Sequence, residues 1–145
     1  MSTEDARLRE AFSVRAGDYA AAGEVSTTIK RDLKRLGLDA GLLRRVAVAC
    51  YEVELNLIIH SLGGELTLEL DERRVRILSR DNGPGIDDIE LAMREGYSTA
   101  GEEARSLGFG AGMGLANMAR NADEFHIESV PGEGTAISMG FAIQR

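Results

Sequence analysis

Cysteine, histidine, proline and tryptophan are scarce or absent in this sequence. Its 145 residues include one cysteine, two histidines, two prolines and no tryptophan. A single cysteine, Cys50, cannot form an internal disulfide, and its apolar neighbours predict a buried structural thiol. His60 and His126 have no cysteine or carboxylate cluster at ligand spacing. A metal held by side chains alone is therefore not expected.

Long apolar runs and an excess of basic residues are also missing. The longest uncharged apolar stretch is far shorter than the roughly 20 residues that a membrane span needs, and the first residues do not resemble a signal peptide. The formal net charge of −7 argues against a nucleic-acid binder, which needs a basic face. We therefore expect a soluble cytoplasmic protein without direct nucleic-acid or membrane contacts.

What remains is an ordinary globular composition, with 43% apolar and 28% charged residues. Such a composition is typical of a folded domain, and this length is enough to bury one core. We predict a single domain over residues 1–145, with an ordered core from about residue 11 to residue 143.

The spacing of apolar residues predicts strands alternating with helices. Strands are predicted at residues 12–15, 65–70, 75–78, 125–130 and 135–143, and helices at about 18–36, 40–61, 87–94 and 115–121. Gly37 is a predicted helix stop and Asp39 a predicted N-cap. Hairpins separated by helices favour an α/β (α+β) two-layer sandwich, with helices on one face of a mixed sheet.

Two polar residues interrupt the second predicted helix, which is apolar on most sides. Glu52 and Asn56 are four residues apart, so their side chains project from the same face. A carboxylate can accept a proton from an attacking hydroxyl, and an amide oxygen is a suitable Mg²⁺ ligand. Taken alone, a solvated helix face explains the pair better. Glu54 is expected to point elsewhere and to lie on the surface.

The segment Asp81-Asn-Gly-Pro-Gly follows directly from a predicted strand. The Asp81 carboxylate could accept a hydrogen bond from an exocyclic amine such as that of adenine. Gly83 and Gly85 would let the backbone pass close to a flat ring. An ordinary tight turn accounts for the segment at least as well.

A long polar stretch at residues 95–112 leads into the glycine-rich run Gly108-Phe-Gly-Ala-Gly-Met-Gly114. Glycines before a helix start favour anion binding, because free backbone N–H groups and the helix dipole point at the ligand. The run matches neither the dinucleotide fingerprint nor the Walker A loop. A flexible hinge is the alternative interpretation, and we favour phosphate binding.

Together and in this order, the three segments resemble the boxes of the GHKL (Bergerat-fold) ATPase superfamily. The resemblance covers nearly the whole chain, from about residue 11 to residue 143. Gly96-Tyr-Ser-Thr, the run from Arg105 to Leu115 and the segment from Asp123 to Thr135 are similar to the anti-sigma regulatory factor and serine-protein kinase branch of that superfamily.

The resemblance implies ATP and Mg²⁺ as cofactors and a role for each position. Glu52 would be the general base, Asn56 would bind Mg²⁺, and Arg105 would meet the γ-phosphate from a lid at residues 95–112. An ion pair of Arg105 with Glu102 or Glu103 is the alternative. The implied nucleotide-binding residues are Asn56, Asp81, Gly83, Gly85, Ser98, Thr99, Gly108, Gly110, Gly112, Met113, Gly114 and Thr135.

The function implied by the resemblance is that of a serine/threonine protein kinase acting on an anti-sigma-factor antagonist (STAS-type) protein in a bacterial switch. The alternative is an anti-sigma factor that binds a sigma subunit in a nucleotide-dependent manner with little or no kinase activity. A homodimer is compatible with either. A topoisomerase-type or mismatch-repair-type ATPase is disfavoured because no transducer domain is expected after the last strand. A histidine kinase is disfavoured because no helix pair bearing a phospho-accepting histidine is expected before the domain, and His60 is interpreted as part of the second helix.

Overall fold

The structure is a computed structural model that describes residues 8–59, 61–83, 85–86, 89–93 and 114–143. Its strands are β1 (Leu8–Val14), β2 (Gly64–Leu70), β3 (Arg74–Asp81), β4 (Glu124–Val130) and β5 (Gly134–Ala142). Its helices are α1 (Glu24–Arg35), α2 (Ala40–Ile59), α3 (Ile89–Ala92) and α4 (Gly114–Asn121). A 3₁₀ turn at Tyr19–Ala21 precedes α1.

The five strands form one sheet in the order β1-β2-β3-β5-β4. The α/β sandwich that the sequence predicts is confirmed. The described strands pair only in antiparallel fashion, so the prediction of a mixed sheet was wrong. After β3, the next strand along the chain is β4, which lies at the edge of the sheet and runs parallel to β3. Strand β5, the hairpin partner of β4, lies between β3 and β4, so every pair of neighbouring strands is antiparallel.

One face of the sheet carries the core. Alternate residues of the three central strands point toward the helices and are almost fully buried. They are Leu66, Leu68, Val75, Ile77, Ile137, Met139 and Phe141. Five buried side chains of α2 pack over them, namely Val46, Ala49, Cys50, Val53 and Leu57. Burial of one large apolar side chain stabilises the fold by about 1.5–3 kcal/mol, so this layer fixes α2 against the sheet.

Two glycines set the bounds of α1. The sequence predicts one helix over residues 18–36, but Gly23 has a φ of 95° and separates the 3₁₀ turn from α1. A residue in the left-handed region cannot continue a right-handed helix. The predicted stop at Gly37 is confirmed, because that residue is also left-handed, with a φ of 87°.

Asp39 caps α2 as predicted. Its Oδ1 atom accepts a hydrogen bond from the backbone N–H of Leu42 at 2.8 Å, which satisfies one of the unpaired donors at the helix start. The helix is described as far as Ile59, and Ser61, its predicted end, is not helical. Ser61, just beyond it, donates its hydroxyl to the carbonyl of Leu57 at 2.6 Å.

The surface position predicted for Glu54 was wrong, since its side chain is 1% exposed. Its carboxylate accepts hydrogen bonds from the backbone N–H groups of Gly23, Val25 and Ser26 at 3.1, 3.2 and 3.0 Å. These are the free donors at the start of α1, where the helix dipole also favours negative charge. Glu54 therefore fixes α1 onto α2.

No helix within the described part of the chain combines the length and the apolar character that crossing a membrane would require.

Candidate functional site

Helices α2 and α4 pack antiparallel, and their contacts define the site. At one end, the Arg45 guanidinium donates to the carbonyl of Asn121 at 3.2 Å. Two turns further along α2, Glu52 Oε1 accepts a hydrogen bond from Asn117 Nδ2 at 3.4 Å. Arg45 and Glu52 are seven residues apart, which places both on the face of α2 that meets α4.

Gly114, the first residue of α4, lies against the two predicted site residues of α2. A Cβ placed on Gly114 would stand 3.3 Å from Glu52 Oε2 and 3.4 Å from Asn56 Oδ1. A side chain here would therefore enter the space that both oxygens border. The glycine keeps this space open, and the positive end of the α4 dipole is directed toward it.

Glu52 is half-buried, and burial raises the pKa of its carboxyl group. The hydrogen bond from Asn117 acts in the opposite direction and lowers that pKa. The effect of burial is the larger of the two, and it acts by disfavouring the charged form of the carboxyl group. A carboxylate with a raised pKa is a stronger proton acceptor than an exposed one, which suits a general base.

Asp81 ends β3 on the helix-covered side of the sheet. Its Oδ1 atom accepts hydrogen bonds from the backbone N–H groups of Gly83 at 2.8 Å and Thr135 at 3.2 Å. Both donors act on the same oxygen, so the carboxylate is oriented through Oδ1 while Oδ2 is not used by either bond. A carboxylate held in this way can accept from a ligand amine.

The loop after Asp81 packs tightly against its surroundings. A Cβ on Gly83 would stand 2.9 Å from the Cα of Ser61, just beyond α2. Gly85 has a φ of 78°, and a Cβ there would stand 2.6 Å from the carbonyl oxygen of Val130. Any other residue at Gly85 would be strained and would clash with this backbone. The loop is thereby held between the end of α2 and the end of β4.

Ser129 connects the same loop to β5. Its Oγ accepts from the backbone N–H of Ile86 at 2.6 Å and lies 2.8 Å from Thr135 Oγ1. Thr135 is buried and also donates its N–H to Asp81. Asp81, Thr135 and Ser129 therefore form one hydrogen-bonded row across three adjacent strands.

The structure brings together the predicted residues that it describes in two neighbouring groups. Glu52, Asn56 and Gly114 meet between α2 and α4. Asp81, Gly83, Gly85 and Thr135 meet at the end of the sheet. The predictions that lie outside the described residues are His60, Ser98, Thr99, Arg105, Gly108, Gly110, Gly112 and Met113, together with the lid over residues 95–112.

Two residues of the site were not predicted from the sequence. Asn117 lies three residues after Gly114, on the helix face that returns toward Glu52. Ser129 lies six residues before Thr135, across the turn that joins β4 to β5. Helical spacing could have indicated the first, and hairpin register could have indicated the second.

A model of the family described as histidine kinase-, DNA gyrase B-, and HSP90-like ATPases matches residues 41–145. This match covers most of the chain and every described residue of the site. The chain belongs to this ATPase family. The resemblance found in the sequence is thereby confirmed.

Curated relatives of this chain include a protein kinase and anti-sigma factors. It is 32% identical over 124 residues to a serine/threonine-protein kinase, RsbT, of Bacillus subtilis, covering 83% of this chain and 85% of the relative. It is 36% identical over 99 residues to an anti-sigma F factor of a Thermoanaerobacter species, covering 65% of this chain and 66% of the relative. An anti-sigma F factor of Clostridium acetobutylicum is 35% identical over 99 residues, with the same shares covered.

A solved structure shares the fold of this chain. The RsbU and RsbW domains of a Mycobacterium tuberculosis protein superpose with a TM-score of 0.65 at 18% identity. The match covers 95% of this chain and 32% of that longer chain. At this identity the match supports the fold alone.

Proposed function

We propose that this ATPase-family protein is an ATP- and Mg²⁺-dependent serine/threonine protein kinase. Its substrate would be an anti-sigma-factor antagonist of the STAS type in a bacterial regulatory switch. The observation that carries the proposal is the space at the start of α4, bordered by Glu52 Oε2 and Asn56 Oδ1 and kept open by Gly114. The similarity to a protein named as a serine/threonine kinase supports the choice of reaction.

Glu52 would act as the general base of this reaction. As the substrate hydroxyl oxygen bonds to the γ-phosphorus, the bond from that phosphorus to the bridging oxygen breaks and ADP leaves. The hydroxyl proton has to be accepted in the same step, and the half-buried Glu52 carboxylate, with its raised pKa, is suited to take it.

Asn56 would hold Mg²⁺, and the residues present fit that ion. An amide oxygen is a hard, uncharged ligand, and Mg²⁺ usually takes few protein ligands and completes its shell with water and phosphate oxygens. Because Gly114 has no side chain, no Cβ stands in front of Asn56 Oδ1 at this position. When bound, Mg²⁺ neutralises charge on the phosphates.

Asp81 would recognise the adenine amino group. Its Oδ1 atom is already engaged by the N–H groups of Gly83 and Thr135, so the carboxylate is oriented before the nucleotide binds. Pre-organised acceptors of this kind reduce the free-energy cost of binding.

The test replaces Glu52 by glutamine, which has the same shape but cannot act as the base. With labelled ATP and candidate antagonist proteins, we expect Glu52→Gln to reduce phosphate transfer by about 10²–10⁴-fold. Its Kd for ATP should stay within about twofold of the wild-type value. Glu65→Gln, at an exposed position of β2, is the matched control and should transfer normally. If Glu52→Gln phosphorylates at the wild-type rate, the base assignment is wrong.

A second candidate function is that of an anti-sigma factor with little or no catalysis. It is favoured by the similarity to anti-sigma F factors. Capture of a sigma subunit that depends on bound nucleotide, with no phosphoprotein formed in the presence of any antagonist protein, would select this function over the kinase.

Several finer assignments belong to the same proposal. The lid over residues 95–112 would close on the phosphates, with Arg105 meeting the γ-phosphate. A cytoplasmic location follows from the use of ATP and of a regulatory protein as substrates. Homodimerisation stays a prediction.

A further inference from the structure

Asn117 is the α4 side chain that contacts the proposed base. Its Nδ2 donates to Glu52 Oε1 at 3.4 Å, across 65 positions of sequence. Because the acceptor is a carboxylate oxygen, the amide must present its NH₂ group here and not its carbonyl oxygen. The other carboxylate oxygen, Oε2, is the one that borders the space at Gly114. One oxygen of Glu52 is thus held by Asn117 while the other faces the site.

The helix that carries Asn117 is itself fixed in place. The carbonyl of Asn117 accepts from Asn121 Nδ2 at 2.8 Å, and the carbonyl of Asn121 accepts from Arg45 of α2 at 3.2 Å. Arg45 also pairs with Asp123 at 3.3 Å. Met118, the next residue of α4, is fully buried in the core. Asn117 is therefore presented to Glu52 from a rigid element, which favours precise positioning.

Besides Glu52 itself, the charged side chains on the facing stripe of α2 and on α4 are Arg45 and Arg120. On the facing stripe of α2, Arg45 precedes Glu52 by two turns and is engaged with Asp123. On α4, the one charged side chain is Arg120, at an exposed position. Burial and the Asn117 hydrogen bond are the causes that shift the pKa of Glu52. Within the described residues, the polar group directed at its carboxylate is thus the Asn117 amide.

We propose that Asn117 is a positioning residue, which holds the Glu52 carboxylate in the orientation that directs Oε2 toward the space at Gly114. The effect on catalysis rests on the proposed kinase function, whereas the orientation itself is a property of the unliganded protein. The two can therefore be tested separately.

The first measurement follows the Glu52 side chain by NMR in the full chain without nucleotide. Three-bond couplings should report one χ1 and χ2 rotamer in the wild type and averaged rotamers in Asn117→Ala. Asn117→Asp has nearly the same size but directs a carboxylate at Glu52, and it should displace the side chain without leaving a cavity. Asn82→Ala removes an amide from an exposed position outside the two helices and should leave the Glu52 couplings unchanged. Unaltered couplings in both Asn117 variants would overturn the proposal.

The second measurement separates positioning from general damage. We expect Asn117→Ala to lower kcat for phosphate transfer about tenfold and to leave the KM for ATP within about twofold of the wild-type value. A misplaced base stabilises the transition state less but does not change the binding of ATP in the ground state. In the Glu52→Gln background the same substitution should have no further effect, since the two residues act as a unit. An equal loss in both backgrounds would overturn the positioning role. A wild-type protein that transfers no phosphate would refute the kinase function but leave the NMR result to decide the role of Asn117.

Discussion

The backbone N–H of Thr135 donates to Asp81 Oδ1 at 3.2 Å, although 54 positions separate the two residues. Asp81 ends β3 and Thr135 follows the first residue of β5, and these strands are neighbours in the sheet. The bond therefore exists only when the sheet is assembled. It fixes the orientation of the carboxylate that we assign to adenine.

Replacement of Asp81 by asparagine tests this assignment. The Asn side chain keeps an oxygen for the N–H groups of Gly83 and Thr135, so the fold should persist. Its NH₂ group cannot accept from an adenine amine. A hydrogen bond to a charged group is worth about 1.5–3 kcal/mol, so the Kd for ATP should rise about 10–100-fold in titration calorimetry. Asn82→Ala, at the exposed neighbouring position, should bind normally. Unchanged affinity in Asp81→Asn would remove Asp81 from the nucleotide site.

Gly114→Ala should impair activity without unfolding the protein. The added methyl group would stand 3.3 Å from Glu52 Oε2 and 3.4 Å from Asn56 Oδ1, where it narrows the space proposed for Mg²⁺ and phosphate. We expect at least a tenfold loss of phosphate transfer, in the range that misplacement of reacting groups causes.

The control for that variant is Gly41→Ala, in the first turn of α2. A Cβ there would meet Asp39 Oδ1 at an ordinary 3.4 Å, so the change should raise the free energy of unfolding by about 0.4–1 kcal/mol and leave transfer intact. Equal transfer rates in the two variants would argue against a role for the space at Gly114.

Glu54→Gln should destabilise the fold. The buried carboxylate accepts hydrogen bonds from three backbone N–H groups at the start of α1. A glutamine would place its NH₂ group, which is itself a donor, against one or two of these N–H groups. We expect the free energy of unfolding in urea to fall by about 1.5–3 kcal/mol. Glu24→Gln, at an exposed position in the first turn of the same helix, should change it by less than about 0.5 kcal/mol. If Glu54→Gln leaves the free energy of unfolding unchanged, the three hydrogen bonds contribute little to stability.

The raised pKa of Glu52 gives opposite pH dependences for activity and stability. The base must be ionised, so phosphate transfer should rise with pH through a pKa above that of an exposed glutamate. Ionisation of this half-buried carboxyl group disfavours the folded state. Its contribution to the free energy of unfolding is therefore full below the unfolded pKa and is lost as pH rises through the folded pKa.

Glu52→Gln should therefore be more stable than the wild type at neutral pH. The difference should vanish below about pH 4, under the ordinary pKa of glutamate. Thermal unfolding of the two proteins from pH 3 to pH 8 measures it. A wild type that is the more stable protein at neutral pH would contradict the direction of the pKa shift.

The sequence alone determined the local elements and the family. Apolar periodicity placed α2, the β2–β3 hairpin and the two last strands, because the side-chain period of 3.6 or 2 is a local property. Asp39 and Gly37 set helix ends through chemistry that acts within four residues. The order of Glu52, Asp81 and the glycines indicated the ATPase family, and the family match confirmed that membership.

The tertiary structure alone decided how these pieces meet. Periodicity gives a helix face but not its neighbour, so Glu54 was expected on the surface although it caps α1 at 1% exposure. The sheet was expected to be mixed because the sequence does not say that β5 lies between β3 and β4. Asn117 gained its place beside Glu52 only through the antiparallel packing of α2 and α4, a contact between residues 65 positions apart. Long-range contacts of this kind depend on the assembled core, whereas caps, turns and periods are determined by the nearby residues.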